Sequence, residues 1–156
     1  MVVASSEQNP YVLHIEDNDG DAYLVVRALR NCGRDVRIGR SADGSEAQMM
    51  LDEIAGHKHE RPDLILLDLK LPIISGFELL DHIRAHPSLV DIPVVIFTSS
   101  DEQKDIDEGS RRGCTAYYVK PIDFNVFRET IVEICEKFLP ALVGANTPDP
   151  KNVFVL

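Results

Sequence analysis

The sequence is short of cysteine, of positive charge and of long apolar runs, and each shortage removes a class of protein. Cys32, Cys114 and Cys135 are widely spaced, with no CxxC pair. This excludes a disulfide framework and a zinc site of paired cysteines, and leaves reduced thiols that fill space in a cytosolic protein. There are 16 basic residues against 26 acidic ones, a formal net charge of -10. Such a balance argues against binding nucleic acid or an anionic membrane through bulk electrostatics, and suits a metal or a basic partner better. The opening MVVASSEQNP has neither the basic start nor the apolar run of a signal peptide. No later stretch approaches the roughly 20 apolar residues of a membrane span, so the expectation is a soluble, cytoplasmic protein.

What the chain has is one strongly patterned centre. In RPDLILLDLKLPIISG, from Arg61 to Gly76, the run Leu64 to Leu67 does not alternate with polar residues and ends on Asp68. A strand apolar on both faces belongs in a parallel sheet covered by helices on each side. Around it the periodicity switches repeatedly between strand and helix. Tyr11–Ile15 precedes a helix carrying Ala22, Val25, Val26 and Leu29, capped by Asn18 or Asp19. Val36–Gly39, a weaker strand, precedes a helix that opens on the capping box Asp43 to Glu46. After the centre, a helix carries Phe77, Leu79, Leu80 and Ile83. Ile92–Phe97 is a β-branched run ending at Thr98, Ser99 and Ser100, followed by the helix-compatible segment Asp101–Gly113, in which Ile106 is almost the sole apolar residue. Thr115–Val119 ends at Lys120-Pro121, and Asp123 caps a last helix with Phe124, Phe127, Ile131, Ile134 and Phe138. Five strand and helix pairs in strict alternation predict an α/β protein with a doubly wound parallel sheet. His57 and His59 fall in a polar loop read as solvated rather than metal-binding.

In open parallel sheets the ligand crevice lies beyond the carboxyl ends of the strands. That edge collects Glu16, Asp17, Asp68, Thr98 and Lys120. Three carboxylates so placed repel one another unless a cation neutralises them. Hard oxygen ligands open to solvent suit Mg²⁺, which favours one or two carboxylates together with phosphate oxygens. A lysine ammonium and a threonine hydroxyl at the same point would contact a phosphoryl group, leaving one carboxylate to attack phosphorus in line. Asp68, on the most buried strand, is the favoured nucleophile.

With these residues in view, the stretch from about Tyr11 to Leu139 resembles the receiver domain of bacterial two-component response regulators. Glu16-Asp17 resembles the family's acidic pair, LLDLKLP its phosphoacceptor segment, Gly76 the following glycine, Thr98 its switch hydroxyl, and Lys120-Pro121 its lysine and cis-proline. The resemblance implies a flavodoxin-like (βα)5 fold of strand order 2-1-3-4-5, and Mg²⁺-dependent transfer of phosphate from a sensor kinase histidine to Asp68, with slow hydrolysis afterwards. It makes Glu16, Asp17, Asp68 and the backbone carbonyl of Lys70 metal ligands. Thr98, with Ser99 beside it, and Lys120 become the phosphate-binding set, and Tyr117 a residue that turns inward behind Thr98. The chain departs from the commonest pattern at Lys70, at Ser75 where Asp is frequent, and at His14, read as a satisfied core histidine.

The EDNDGD, LDLKLP and KPIDFNVF stretches further resemble small single-domain regulators that partner phytochrome-type kinases. Residues 1–10 read as an N-terminal extension and 140–156 as a tail. Its closing Val153, Phe154, Val155 and Leu156 offer an arm for a homodimer. On this reading the chain is a phosphoacceptor that signals through protein contacts, an enzyme at most toward its own phosphorylation and dephosphorylation. The alternatives are a phosphorylation-independent adaptor and a haloacid dehalogenase-type phosphatase, whose second Asp is replaced here by Lys70.

Overall fold

In the computed structural model, which describes residues 9–140, the runs read as buried strands lie at the middle of one sheet with helices on both faces. In chain order the elements are β1 (Tyr11–Ile15), α1 (Asp19–Leu29), β2 (Arg37–Ser41), α2 (Gly44–Ala55), β3 (Leu64–Leu67), α3 (Gly76–Ala85), β4 (Val94–Thr98), α4 (Gln103–Arg111), β5 (Ala116–Val119) and α5 (Phe124–Phe138). Every pairing is parallel and the spatial order is β2-β1-β3-β4-β5, the flavodoxin-like arrangement expected. The arm residues Val153, Phe154, Val155 and Leu156 lie outside the described residues, as does most of the N-terminal extension.

Alternation along β3 explains its apolar run. Leu64 and Leu66 pack with Val25, Leu29, Phe97, Phe127 and Ile131 on the side of α1 and α5. Ile65 and Leu67 pack with Leu51, Ile54, Leu79, Leu80 and Ile83 on the side of α2 and α3. Each such side chain removed from water contributes about 1.5–3 kcal/mol. A four-residue strand therefore holds its place at the centre of the sheet through burial on both faces.

Four helices begin on a side chain that accepts an N–H from their first turn. Asn18 accepts from Asp21 at 2.9 Å, Asp43 from Glu46 at 2.7 Å, Ser75 from Glu78 at 3.2 Å and Asp123 from Val126 at 3.1 Å, each worth about 1 kcal/mol. Ser75, which departs from the common family residue, is thus the cap of α3. Helix α4 is built differently: Glu102 makes no side-chain cap bond, and Gly109 is the helix's one buried residue. A side chain at Gly109 would meet Ile96 Cδ1 at 2.9 Å, so the glycine lets a polar helix lie close against the sheet.

Where strand limits differ from those expected, hydrogen bonding decides. Pro93 has no N–H, so β4 begins at Val94, and it runs on to Thr98, which pairs with Val119. Thr115 leaves the strand because its Oγ1 accepts the Val94 N–H at 2.9 Å. Edge strand β2 continues through Arg40 and Ser41 because its partner β1 carries the register to Ile15.

The expected cis bond before Pro121 is corrected: no described peptide bond is cis. Trans is the lower-energy form of an X–Pro bond by about 0.5–1 kcal/mol, and with that bond trans the Lys120 ammonium reaches the acidic groups at the sheet edge. The three cysteines are free, and burial pushes the Cys135 thiol up to about 12.

Candidate functional site

The hydrogen-bond ladder of the sheet runs one residue past the strands and fixes the residues that follow them. The Glu16 N–H donates to Ser41 O at 3.0 Å, the Asp68 N–H to Ile15 O at 3.0 Å and the Lys120 N–H to Thr98 O at 2.7 Å. Three loop residues are thereby placed by main-chain bonds at the crevice beside β1 and β3, where strand order reverses. Behind Asp68 the chain folds back on Gly76, where an added Cβ would collide with the carbonyl oxygen of Asp68. Only glycine permits this approach.

Glu16, Asp17 and Asp68 each present an oxygen within 4.8 Å of the others. Glu16 is 0% exposed and Asp68 5%, while Asp17 is exposed. Burial pushes the Glu16 carboxyl up to about 7; the hydrogen bond from Lys120 opposes this and the charge of Asp68 adds to it. The Lys120 ammonium lies 2.7 Å from Glu16 Oε2, 2.9 Å from Asp21 Oδ2 and 3.4 Å from Asp68 Oδ2. Burial works against its charge, yet the bonds it donates to Glu16 and Asp21 outweigh it and raise the pKa. One ammonium contacts three carboxylates, and Asp17 adds a fourth to the cluster, an excess of negative charge that a divalent cation would offset.

Thr98 supplies the second unfilled demand. Its hydroxyl is buried and has no hydrogen-bond partner, a state that costs about 1–3 kcal/mol unless something else meets it. Tyr117 is half-buried and its hydroxyl donates to Ser100 O at 2.8 Å. Ser100 in turn donates from Oγ to Asp105 at 2.6 Å, tying β4 and β5 to α4. Ser99 is exposed and lines a cavity of about 270 Å³ with Asp21, Lys120 and Phe124. Lys70 is exposed, and its amide lies 3.4 Å from Asp68 Oδ1.

Two contributors were not read from the sequence. Asp21, in the first turn of α1, holds Lys120 from 99 positions away. Arg40 grips the carbonyl oxygen of Glu16 with Nε at 3.1 Å and Nη2 at 3.0 Å, while its Nη1 pairs with Asp19 at 2.8 Å. The acid-rich EDNDGD stretch was the available signal for Asp21; for Arg40, on a polar edge strand, there was none. His14 needs correction. It is 1% exposed, neither ring nitrogen has a hydrogen-bond partner, and Nε2 stands 3.9 Å from Glu16 Oε2. It is therefore buried but not satisfied, because the strand aims it into an apolar layer beside an oxygen already taken by Lys120. Burial first, then the charges of Lys120 and Arg40, lower its pKa to about 3.

The response regulator receiver domain model matches residues 12–132. The chain belongs to that family. A probable methanogenesis regulatory protein, FilR2 of Methanothrix harundinacea, is 34% identical over 137 residues, 88% of each chain. Response regulator Rcp1 of Synechocystis sp. is 37% identical over 105 residues, 65% of this chain and 71% of that protein. Its Mn²⁺-bound crystal structure superimposes with a TM-score of 0.76 at 28% identity, over 90% of this chain and 99% of that one. The phosphorylated cyanobacterial phytochrome response regulator RcpA superimposes with a TM-score of 0.79 at 31% identity, over 86% of this chain and all of that one, 100%. Receiver domains are phosphoacceptor regulators that partner histidine kinases and bind a divalent metal. No helix among the described residues is long and apolar enough to cross a membrane.

Proposed function

We propose that this receiver domain takes a phosphoryl group from the histidine of a sensor kinase onto Asp68, with Mg²⁺ as the working metal, and passes the signal on through protein contacts. The observation that carries the assignment is the pairing of three converging carboxylates with an unpartnered buried hydroxyl, Thr98, at the same sheet edge. A metal fits the first and a phosphoryl oxygen the second.

The step is an in-line displacement. An Asp68 carboxylate oxygen forms the new bond to phosphorus, the P–N bond to the kinase imidazole breaks, and the imidazole departs with the electron pair and takes up a proton. Glu16, Asp17, Asp68 and the Lys70 carbonyl would hold Mg²⁺, which would supply positive charge against the phosphoryl oxygens. Lys120 donates to one phosphoryl oxygen and Thr98 to another, and Ser99 borders the same space. The displaced Thr98 leaves room behind it for Tyr117, whose hydroxyl then exchanges the Ser100 carbonyl for a new partner. Because α4 is capped by no side chain and buries one glycine, the surface of α4, β5 and α5 can be re-set at a cost of a few kcal/mol.

The likeness to RcpA and Rcp1 supports a phytochrome-type kinase as the phosphodonor. We further propose that the protein works in the cytoplasm as a homodimer joined by the Val153–Leu156 arm, whose truncation should remove the dimer seen by light scattering. The decisive experiment incubates the chain and Asp68→Asn with Mg²⁺ and acetyl phosphate, then measures intact mass. One added phosphoryl group on the wild type alone, stable to acid and released by hydroxylamine, is the expected result. No adduct with acetyl phosphate or any kinase would favour a phosphorylation-independent adaptor.

A further inference from the structure

Lys120 has three N–H donors, and in this structure they serve unequal partners. The two shorter contacts run to Glu16 and Asp21, at 2.7 and 2.9 Å, and the longest, 3.4 Å, to Asp68. Asp21 is not one of the three carboxylates that converge within 4.8 Å, so its oxygen competes for the lysine and not for the metal. Its side chain is 31% exposed. It stands with Lys120 in the wall of the cavity between α1 and the segment after β5. Helix α1 does not depend on this carboxylate for its start, which is capped by Asn18.

We infer that Asp21 is a positioning residue that holds Lys120 toward the unphosphorylated state, and so sets how readily Asp68 keeps a phosphoryl group. The inference rests on Asp68 being the phosphoacceptor. While Asp68 is a free carboxylate, the ammonium is shared among three anions and drawn to the α1 side. Once Asp68 carries a phosphoryl group, the added oxygens need that ammonium nearer to them. Each increment of movement toward them lengthens a charge-assisted bond to Asp21, and the Asp21 charge also repels the phosphoryl oxygens. Asp21 therefore stabilises one state more than the other, which is what a device that shifts an equilibrium must do. Neutralising it removes the restraint and leaves Lys120 free to follow the phosphoryl group.

The test uses beryllium fluoride, which mimics a phosphoryl group on a carboxylate oxygen, titrated calorimetrically into the whole chain at fixed saturating Mg²⁺. Asp21→Asn should bind it about tenfold more tightly than wild type, the loss of one charge-assisted bond. Asp21→Glu, which keeps the charge on a longer stem, should return to within about threefold of wild type. Thermal melting of each variant reports folding. Should Asp21→Asn not fold, Asp21→Ser removes the same charge and carries the same expectation. Binding by wild type with Asp21→Asn unchanged, or weaker, would overturn the positioning role and leave the phosphoacceptor reading standing. No binding by wild type at all would overturn both.

Discussion

Replacing His14 by leucine should stabilise the domain, and should do so more at pH 5 than at pH 7. His14 is buried between α1 and the sheet without a hydrogen bond, facing Glu16 at 3.9 Å. Its folded pKa is about 3, against an ordinary 6.5, because burial and the charges of Lys120 and Arg40 all disfavour the imidazolium. The folded state thus binds the proton less well than the unfolded chain. Stability from this group is whole above pH 6.5 and is lost progressively as pH falls toward 3. At about 1.4 kcal/mol per pH unit, the loss between pH 7 and pH 5 is about 2 kcal/mol. Leucine has nothing to protonate and also removes two unpartnered nitrogens, a gain of about 1 kcal/mol at pH 7 after some repacking. The variant should therefore exceed wild type by about 1 kcal/mol at pH 7 and about 3 kcal/mol at pH 5. Urea unfolding followed by far-ultraviolet circular dichroism, in EDTA at both pH values, measures this difference. Glu16, whose raised pKa acts in the opposite sense, is present in both proteins. Equal pH dependence in the two would refute the reasoning, since it would mean that folded His14 takes up its proton normally.

Three further outcomes are expected. Arg84 donates from Nε to Gly113 O at 2.8 Å and from Nη1 to Val90 O at 2.9 Å and Ile92 O at 2.8 Å, holding together the two turns that lead into β4 and β5. Arg84→Ala should cost about 2–4 kcal/mol in urea unfolding, and a loss under about 1 kcal/mol would show that water replaces these bonds at little cost. Mg²⁺ at ten times its dissociation constant should stabilise the domain by about 1.4 kcal/mol, read as a saturable rise in melting temperature that EDTA reverses. Asp17→Ala should remove most of that rise while leaving melting without metal nearly unchanged, because Asp17 is exposed; an undiminished rise would place the metal elsewhere.

The sequence made the sheet readable because β1, β3 and β4 are mostly apolar runs buried on both faces. It made Glu16, Asp17 and Asp68 readable because they follow two of those runs, while Lys120 follows the partly buried edge strand β5. Asn18 rather than Asp19 as the cap of α1 is a choice between neighbouring side chains that local pattern leaves open. Asp21 and Arg40 were hidden for another reason: their partners, Lys120 and the Glu16 carbonyl, are brought near by crossovers, and although EDNDGD marks Asp21 as one of several acids at the site edge, nothing in either neighbourhood names the partner. His14 misled because composition reports that a histidine lies in a strand but not whether a donor or acceptor waits beside it. The trans bond at Pro121 likewise depends on the loop it enters. The family's cis-proline was an expectation by analogy that this chain does not meet.

The main-chain bonds that seat Glu16, Asp68 and Lys120 have a consequence for inactive variants. Each of these positions donates its backbone N–H, a group every residue except proline carries, so the three keep their places with any side chain but proline's. On the function proposed above, a protein carrying Asn at position 68 would take up no phosphoryl group and still be shaped like the original. In a cell it would go on occupying the kinase. Expressed beside the normal chain, it would act as a decoy, weakening the pathway in proportion to its abundance.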